Sequence, residues 1–221
     1  MRVQRVGIAV VVAAGVLAGP LAHAAPAPRP VCNLVTDPAG DVTPSAPGVD
    51  SNDYDIRSAD IATDAHRLTA VIRLASLAPE DPMSVMARDY ELDFTANGSS
   101  FGLLASLLTG GDSFEAAVYT TDAAGGRYGT DLGAVSGVVD TAHHEIRVTA
   151  PLTLFAPYAT FKQTYIDHLY VGSARAVGDS GATSPDGRVS IGSQSDAVVV
   201  DDASSKARYM PQRRSCVHVG K

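Results

Sequence analysis

The sequence predicts an all-β chain, an antiparallel jelly-roll-like β-sandwich of about nine or ten strands. Three observations carry that prediction. Short runs of alternating apolar and polar residues recur at the roughly 8–12-residue spacing of sandwich strands, separated by Gly, Pro, Asp and Ser. No helical periodicity lasts long enough for helices to alternate with these runs, which removes an α/β architecture. And residues 90–121 hold two turn signals that agree about which side chains face inward.

A two-residue turn at Asn97-Gly98 pairs Phe94 with Phe101, Leu92 with Leu103 and Tyr90 with Ala105. A second turn at Gly110-Gly111 pairs Leu107 with Phe114, Ala105 with Ala116 and Leu103 with Val118. Because side chains alternate with period two, both turns put Phe94, Phe101, Leu103, Phe114 and Val118 on one face. The other face then carries Asp89, Glu91, Asp93, Gly102, Leu104, Glu115, Ala117 and Tyr119.

The remaining elements follow in chain order. Residues 1–24 read as a secretory signal peptide. Arg2 and Arg5 precede an apolar run over 6–19, and Ala22-His23-Ala24 offers the small residues that signal peptidase reads. That run has 14 residues, short of the ~20 that span a bilayer, and no later stretch is long and apolar enough to cross one. Residues 25–30 form an Ala/Pro-rich leader, and 31–221 are expected to form a single domain. A first strand is expected over 31–35, followed by an Asp/Pro/Gly/Ser loop over 37–55. Strands over 56–63 and 68–74 flank Asp64-Ala65-His66, with Leu68, Ala70, Ile72 and Leu74 facing one way and Thr69, Val71 and Arg73 the other. Beyond the meander, a Gly-rich turn at 124–126 leads to a weaker strand around 132–139. A turn at 140–143 then precedes a strand over 145–150. Pro151 and Pro157 restrict 151–164 to a helical turn or an irregular crossing. A strand over 165–177 turns Leu169, Val171 and Ser173 to one face. A Gly/Ser/Asp loop over 178–196 and closing strands over 198–200 and 209–219 complete the chain.

Without residues 1–24, 197 residues remain with 15 basic and 24 acidic side chains, a formal charge of −9. That sign argues against nucleic acid or an anionic membrane surface as partner, since both require a basic patch. Cys32 and Cys216 stand near the two ends of the exported chain, where an even count reads as a disulfide. The loop it closes, 184 residues long, is worth roughly 5 kcal/mol in the chain-entropy account.

Three motifs fail on inspection. Gly178-Asp179-Ser180-Gly181 is similar to the nucleophile segment of trypsin-like proteases. However, Ala182 replaces the second Gly, and His143 lies too near in sequence for two barrels to be built between them. His144-Glu145 begins like a zincin helix, but Val148 stands where the second His is required. Asn97-Gly98-Ser99 is a glycosylation sequon that the hairpin turn already explains.

Two features carry chemistry. Asp37, Asp41, Asp53 and Asp55 crowd one loop, with Asp50 and Asn52 among them. Calcium takes six to eight oxygens, which such a loop can supply, although the spacing is not that of an EF-hand. The second feature is the outer face of the meander, where Asp89, Glu91, Asp93, Glu115 and Tyr119 are the expected ligand-binding residues. Gly102 leaves a gap between Asp93 and Tyr119, and Arg73 and Arg147 are expected to face the same way. A polar sheet face with an aromatic suits a sugar. The chain has no Trp, so stacking would fall to its eight Tyr.

Asp37-Pro38-Ala39-Gly40-Asp41, then Asp55-Ile56-Arg57-Ser58-Ala59-Asp60-Ile61, then the strand over 68–74 resemble the opening of secreted bacterial domains related to the DOMON superfamily and the family-nine carbohydrate-binding modules. Residues 90–94 are similar to their central strand, and the resemblance spans 31–177. It implies a jelly-roll sandwich that binds rather than catalyses, with sugar or haem as ligand class and a calcium role for Asp37 and Asp41. Haem-binding members use axial Met and His, for which this chain offers Met83, Met86 and His168. The expected function is therefore a secreted, non-enzymatic module binding a glycan or cell-envelope polymer. The alternatives are a haem or redox-cofactor domain and a glycan-degrading hydrolase using Glu91, Asp93 and Glu115. Glu91 and Asp93 share a strand face ~7 Å apart, near the separation of glycosidase carboxylates.

Overall fold

The structure is a computed structural model that describes residues 33–42, 51–79, 86–107, 111–123, 125–161, 164–177, 188–189, 198–208 and 210–211. Its elements are β1 (Val35–Thr36), a 3-10 turn (Ser51–Asp53), β2 (Ile56–Thr63), β3 (Arg67–Leu74), β4 (Met86–Ala96), β5 (Ser99–Leu107), β6 (Ser113–Thr121), β7 (Arg127–Asp131), β8 (Ser136–Asp140), β9 (Glu145–Pro151), α1 (Leu152–Phe155), β10 (Ile166–Val177), β11 (Arg188–Val189) and β12 (Val198–Ser205). They form two antiparallel sheets, one ordered β1-β2-β3-β9-β8 and the other β11-β7-β6-β5-β4-β10-β12. This is the all-β sandwich that the alternation predicts.

The first meander turn is as expected. Asn97 and Gly98 have φ of 52° and 78°, the left-handed pair of a type I′ turn that matches the twist of a hairpin. Phe94 faces Phe101, Leu92 faces Leu103 and Tyr90 faces Ala105. The second hairpin differs. Phe101 pairs with Val118, Leu103 with Ala116 and Ala105 with Phe114, so the register is two residues away from the one a Gly110-Gly111 turn sets. The ladder stops at Ser106 and Ser113. A shift of two keeps every side chain on its face, so Phe94, Phe101, Leu103 and Val118 still lie in the core and Phe114 packs against it.

Between the sheets Phe94, Phe101, Phe155 and Phe161 form one aromatic cluster. The Phe101–Phe155 and Phe155–Phe161 rings meet edge-on at centroid separations of 5.3 and 5.6 Å. Leu68, Ala70, Ile72 and Leu74 of β3 and Ile146, Val148 and Ala150 of β9 face them from the other sheet. Phe114 of β6 lies over Gly137 of β8, where a Cβ would collide with the ring.

Five strand assignments need correction, one of them β11 (Arg188–Val189), which falls inside the loop expected over 178–196 and pairs with β7. Among the described residues the first strand is Val35–Thr36, with Asn33 just before it at a φ of 49°. The stretch around 132–139 is not one strand: β7 ends at Asp131 in one sheet and β8 starts at Ser136 in the other, with 132–135 crossing between them. β7 itself was not expected, because Arg-Tyr-Gly-Thr-Asp carries no apolar alternation. The closing strand β12 runs on to Ser205, well beyond residue 200. The signal segment, both cysteines, the Ser180 motif, Asp50, Met83 and residues 212–219 of the second closing strand lie outside the described residues.

Candidate functional site

Two sites emerge, one at the sandwich edge and one on a sheet face. The edge site begins with Asp37, directly after β1, and Asp41, after the turn at Gly40, whose φ is 76°. They meet Asp201 of β12, and one carboxylate oxygen from each of the three lies within 4.8 Å of the others. β1 is the edge strand of one sheet and β12 the edge strand of the other, so the cluster ties the two sheets together. Asp201 also accepts the Ile56 N–H at 2.7 Å. Asp55 closes the back of the turn by accepting the Gly40 N–H at 2.9 Å.

The electrostatics of this cluster are those of carboxylates crowded together. Burial, then Asp201, Asp41 and Asp55, push Asp37 up to about 7. Asp201 is raised too, mainly by burial. Asp37 Oδ2 and Asp55 Oδ1 are buried without a hydrogen-bond partner. Two oxygens sharing a calcium at about 2.4 Å each stand no more than about 4.8 Å apart, so the three carboxylates fit such an ion.

Asp53 does not belong to this group. It accepts from Ser76 Oγ at 2.5 Å and the Ala78 N–H at 3.0 Å, and pairs with Arg88 at 3.0 Å. Those bonds pin the 3-10 turn against β4, and Tyr90 Oη donates to the Asp53 carbonyl at 2.8 Å. Of the four expected ligands, Asp37 and Asp41 come together, Asp55 lines the turn behind them, and Asp53 is a structural anchor. Asp201 lies 146 residues beyond Asp55 in sequence, and only the meeting of two sheet edges reveals it.

The face site lies on the outside of the seven-stranded sheet, where Asp89, Glu91, Asp93, Glu115 and Tyr119 all point as expected. The gap over Gly102, however, is filled. Tyr119 lies across it, so a Cβ on Gly102 would stand 2.7 Å from the ring's Cε2. Tyr119 Oη donates to Glu91 at 2.5 Å, and the Arg127 guanidinium sits 3.5 Å above the ring centroid. Arg127 also pairs with Asp93 and reaches Glu91 at 3.8 Å. Tyr119 is thus a buried strut at 7% exposure and offers no free stacking surface.

Arg73 and Arg147 do not reach this face. They lie outside the five-stranded sheet, on the far side of the sandwich. There Arg73 bridges Asp60 at 2.6 Å and Glu145 at 2.9 Å, and Arg147 bridges Asp140 and Glu145. Arg127, from the unexpected strand β7, supplies the cation instead.

Glu91 faces Gly172 across β4 and β10, and Asp93 faces Tyr170. Tyr170 folds over Gly172 much as Tyr119 folds over Gly102; a Cβ on Gly172 would be 2.8 Å from Tyr170 Oη. Beside it is a recess of about 60 Å³ lined by Asp89, Glu91, Leu104, Tyr170, Gly172 and Val199. Burial and the nearby Asp202, Glu91 and Asp93 carboxylates push the Tyr170 phenol up to about 12. Asp93, 8% exposed, is raised to about 9, first by burial and then by Glu91, against the pull of Arg127. Of the haem candidates, His168 is exposed, with its Nδ1 3.0 Å from Asp167.

The chain matches no family model, no curated protein and no solved structure. Fold and sites define a class all the same: an all-β sandwich with an acidic, tyrosine-bearing sheet face and a carboxylate cluster joining its two edges.

Proposed function

We propose that this chain is a secreted, non-enzymatic binding module that holds a glycan or cell-envelope polymer along the outer face of its seven-stranded sheet. The observation that supports this reading is the shallow recess beside Tyr170, at about 60 Å³. Enclosed small-molecule and cofactor pockets run to roughly 300–1,000 Å³, so this one suits a single group of a longer ligand lying across the strands. The flanking chemistry, phenols and carboxylates held by glycine-seated rings, is suited to polar contacts rather than to a haem. For catalysis, Glu91 and Asp93 are both engaged by Arg127, which is how a fixed surface is built. In this reading calcium is the associated ion, held by Asp37, Asp41 and Asp201. The resemblance to DOMON-like and family-nine carbohydrate-binding domains points in the same direction.

The test is a pull-down on insoluble polysaccharides and cell-wall preparations, with Tyr170→Ala as the variant. Retention of the wild type and loss in the variant, with both unfolding at similar temperatures, is the expected result. Failure to bind any polymer, or turnover of generic glycosidase substrates, would sink the proposal.

A further inference from the structure

The outer sheet face already shows which kind of group it accommodates. The Arg127 guanidinium carbon lies 3.5 Å from the Tyr119 ring centroid, with its nitrogens turned to Asp93 and Glu91; a cation over an aromatic ring with carboxylates beside it is a stable arrangement. Across Glu91 the same components recur around the recess: the Tyr170 ring seated over Gly172 and the Glu91 and Asp89 carboxylates. In the first half the cation comes from the protein's own β7. In the second half the space is a recess.

The charges of the shared pair are also unequal. Glu91 and Asp93 together carry two negative charges when ionised, and Arg127 returns one. Asp93 is 8% exposed, and its Oδ1 is buried with no hydrogen-bond partner. Among the described residues, the groups that act on it or feel it are Glu91 on β4, Tyr119 on β6, Arg127 on β7 and Tyr170 on β10, and of these Arg127 is the cation. Burial and Glu91, against the pull of Arg127, raise Asp93 to about 9.

We propose that the recess between Tyr170 and Glu91 receives a protonated amine of the bound polymer, so that the ligand is a glycan carrying free amino groups. This rests on the glycan-binding reading and narrows it. An ammonium matches a recess of about 60 Å³, whereas an acetylated amine is larger, is neutral and leaves the carboxylates unbalanced. A polymer of anionic groups would meet Asp89, Glu91 and Asp202 on the same side and be repelled.

The test is titration calorimetry of the whole chain with three hexasaccharides of equal length, built from glucosamine, N-acetylglucosamine and glucose, at mildly acid pH where the amines are charged. The expected result is binding of the glucosamine oligomer at least tenfold tighter than either other ligand, weakening as salt is raised, with Glu91→Gln losing about tenfold. Should Glu91→Gln fail to fold, the three-ligand comparison on the wild type still decides. Equal binding of all three leaves the glycan module standing and overturns the amine preference, as does preference for either neutral oligomer. Binding of none overturns both.

Discussion

Replacing Gly102 by Ala should destabilise this protein, although alanine normally improves a strand. Glycine in a strand interior costs roughly 0.5–1 kcal/mol relative to alanine, so the default expectation is a gain. Here the added Cβ would stand 2.7 Å from Cε2 of Tyr119, well inside contact distance, and the ring must leave. With it goes the Tyr119–Glu91 hydrogen bond at 2.5 Å, and hydrogen bonds to charged groups are worth about 1.5–3 kcal/mol. The Arg127 stack at 3.5 Å adds roughly 0.5–1 kcal/mol. Set against the strand gain, the net loss is about 2 kcal/mol, which urea denaturation reads as a midpoint lowered by about 1 M with an unchanged slope. In a Tyr119→Ala background nothing occupies the space above residue 102, and the same change should stabilise by about 0.5–1 kcal/mol. The sign reversal is the measurement. A Gly102→Ala effect of equal sign and size in both backgrounds would refute the claim that Tyr119 rests on Gly102.

Calcium should raise the unfolding temperature. At a hundredfold excess over Kd the gain is about 2.7 kcal/mol, or roughly 5–10 °C for a chain this size. Asp201→Asn should abolish the shift while Asp53→Asn leaves it in place, and a midpoint indifferent to chelator in the wild type would remove the ion from this account. Arg73→Met strands Asp60, whose side chain is fully buried, and should cost about 3–5 kcal/mol. The double variant Arg73→Met/Asp60→Leu should recover part of that, and equal losses in both would count against a buried pair. Asp93 is a carboxyl whose folded-state pKa is raised. Its stabilising contribution is therefore full below about pH 4 and declines as pH rises toward about 9, because the unfolded chain releases the proton first. The wild-type stability curve minus that of Asp93→Asn should fall across this window, and a flat difference would show that Asp93 is ionised throughout.

The sheet core was legible because its information is local. Asn97-Gly98 specifies a left-handed pair by residue type, and the alternation of Tyr90, Leu92 and Phe94 against Phe101, Leu103 and Ala105 leaves one register. The second hairpin was legible in face but not in register, since Gly110-Gly111 is compatible with more than one loop length and an even shift costs no burial. β7 was hidden for a different reason. Its residues pair with β6 through the main chain, a requirement of the sheet edge that side-chain alternation does not report. Asp201 was hidden by distance: its neighbours Asp37 and Asp41 are fixed by a turn, but the approach of β12 to β1 is a property of how the two sheets close.

Arg73 and Arg147 show where period-two reasoning stops in a sandwich. Alternation says whether a side chain points toward the core or away from it, and it was right that both point away. A sandwich has two outsides, however, and parity alone does not choose between them. That choice depends on which sheet receives the strand: β3 and β9 lie beside β2 and β8, not beside β4. The consequence is chemical as well as topological. With both arginines neutralising Asp60, Asp140 and Glu145 on the far face, Glu91 and Asp93 are left to the single guanidinium of Arg127. That arrangement, different from the one expected from sequence, leaves Arg127 as the cation that Glu91 and Asp93 share on the seven-stranded face.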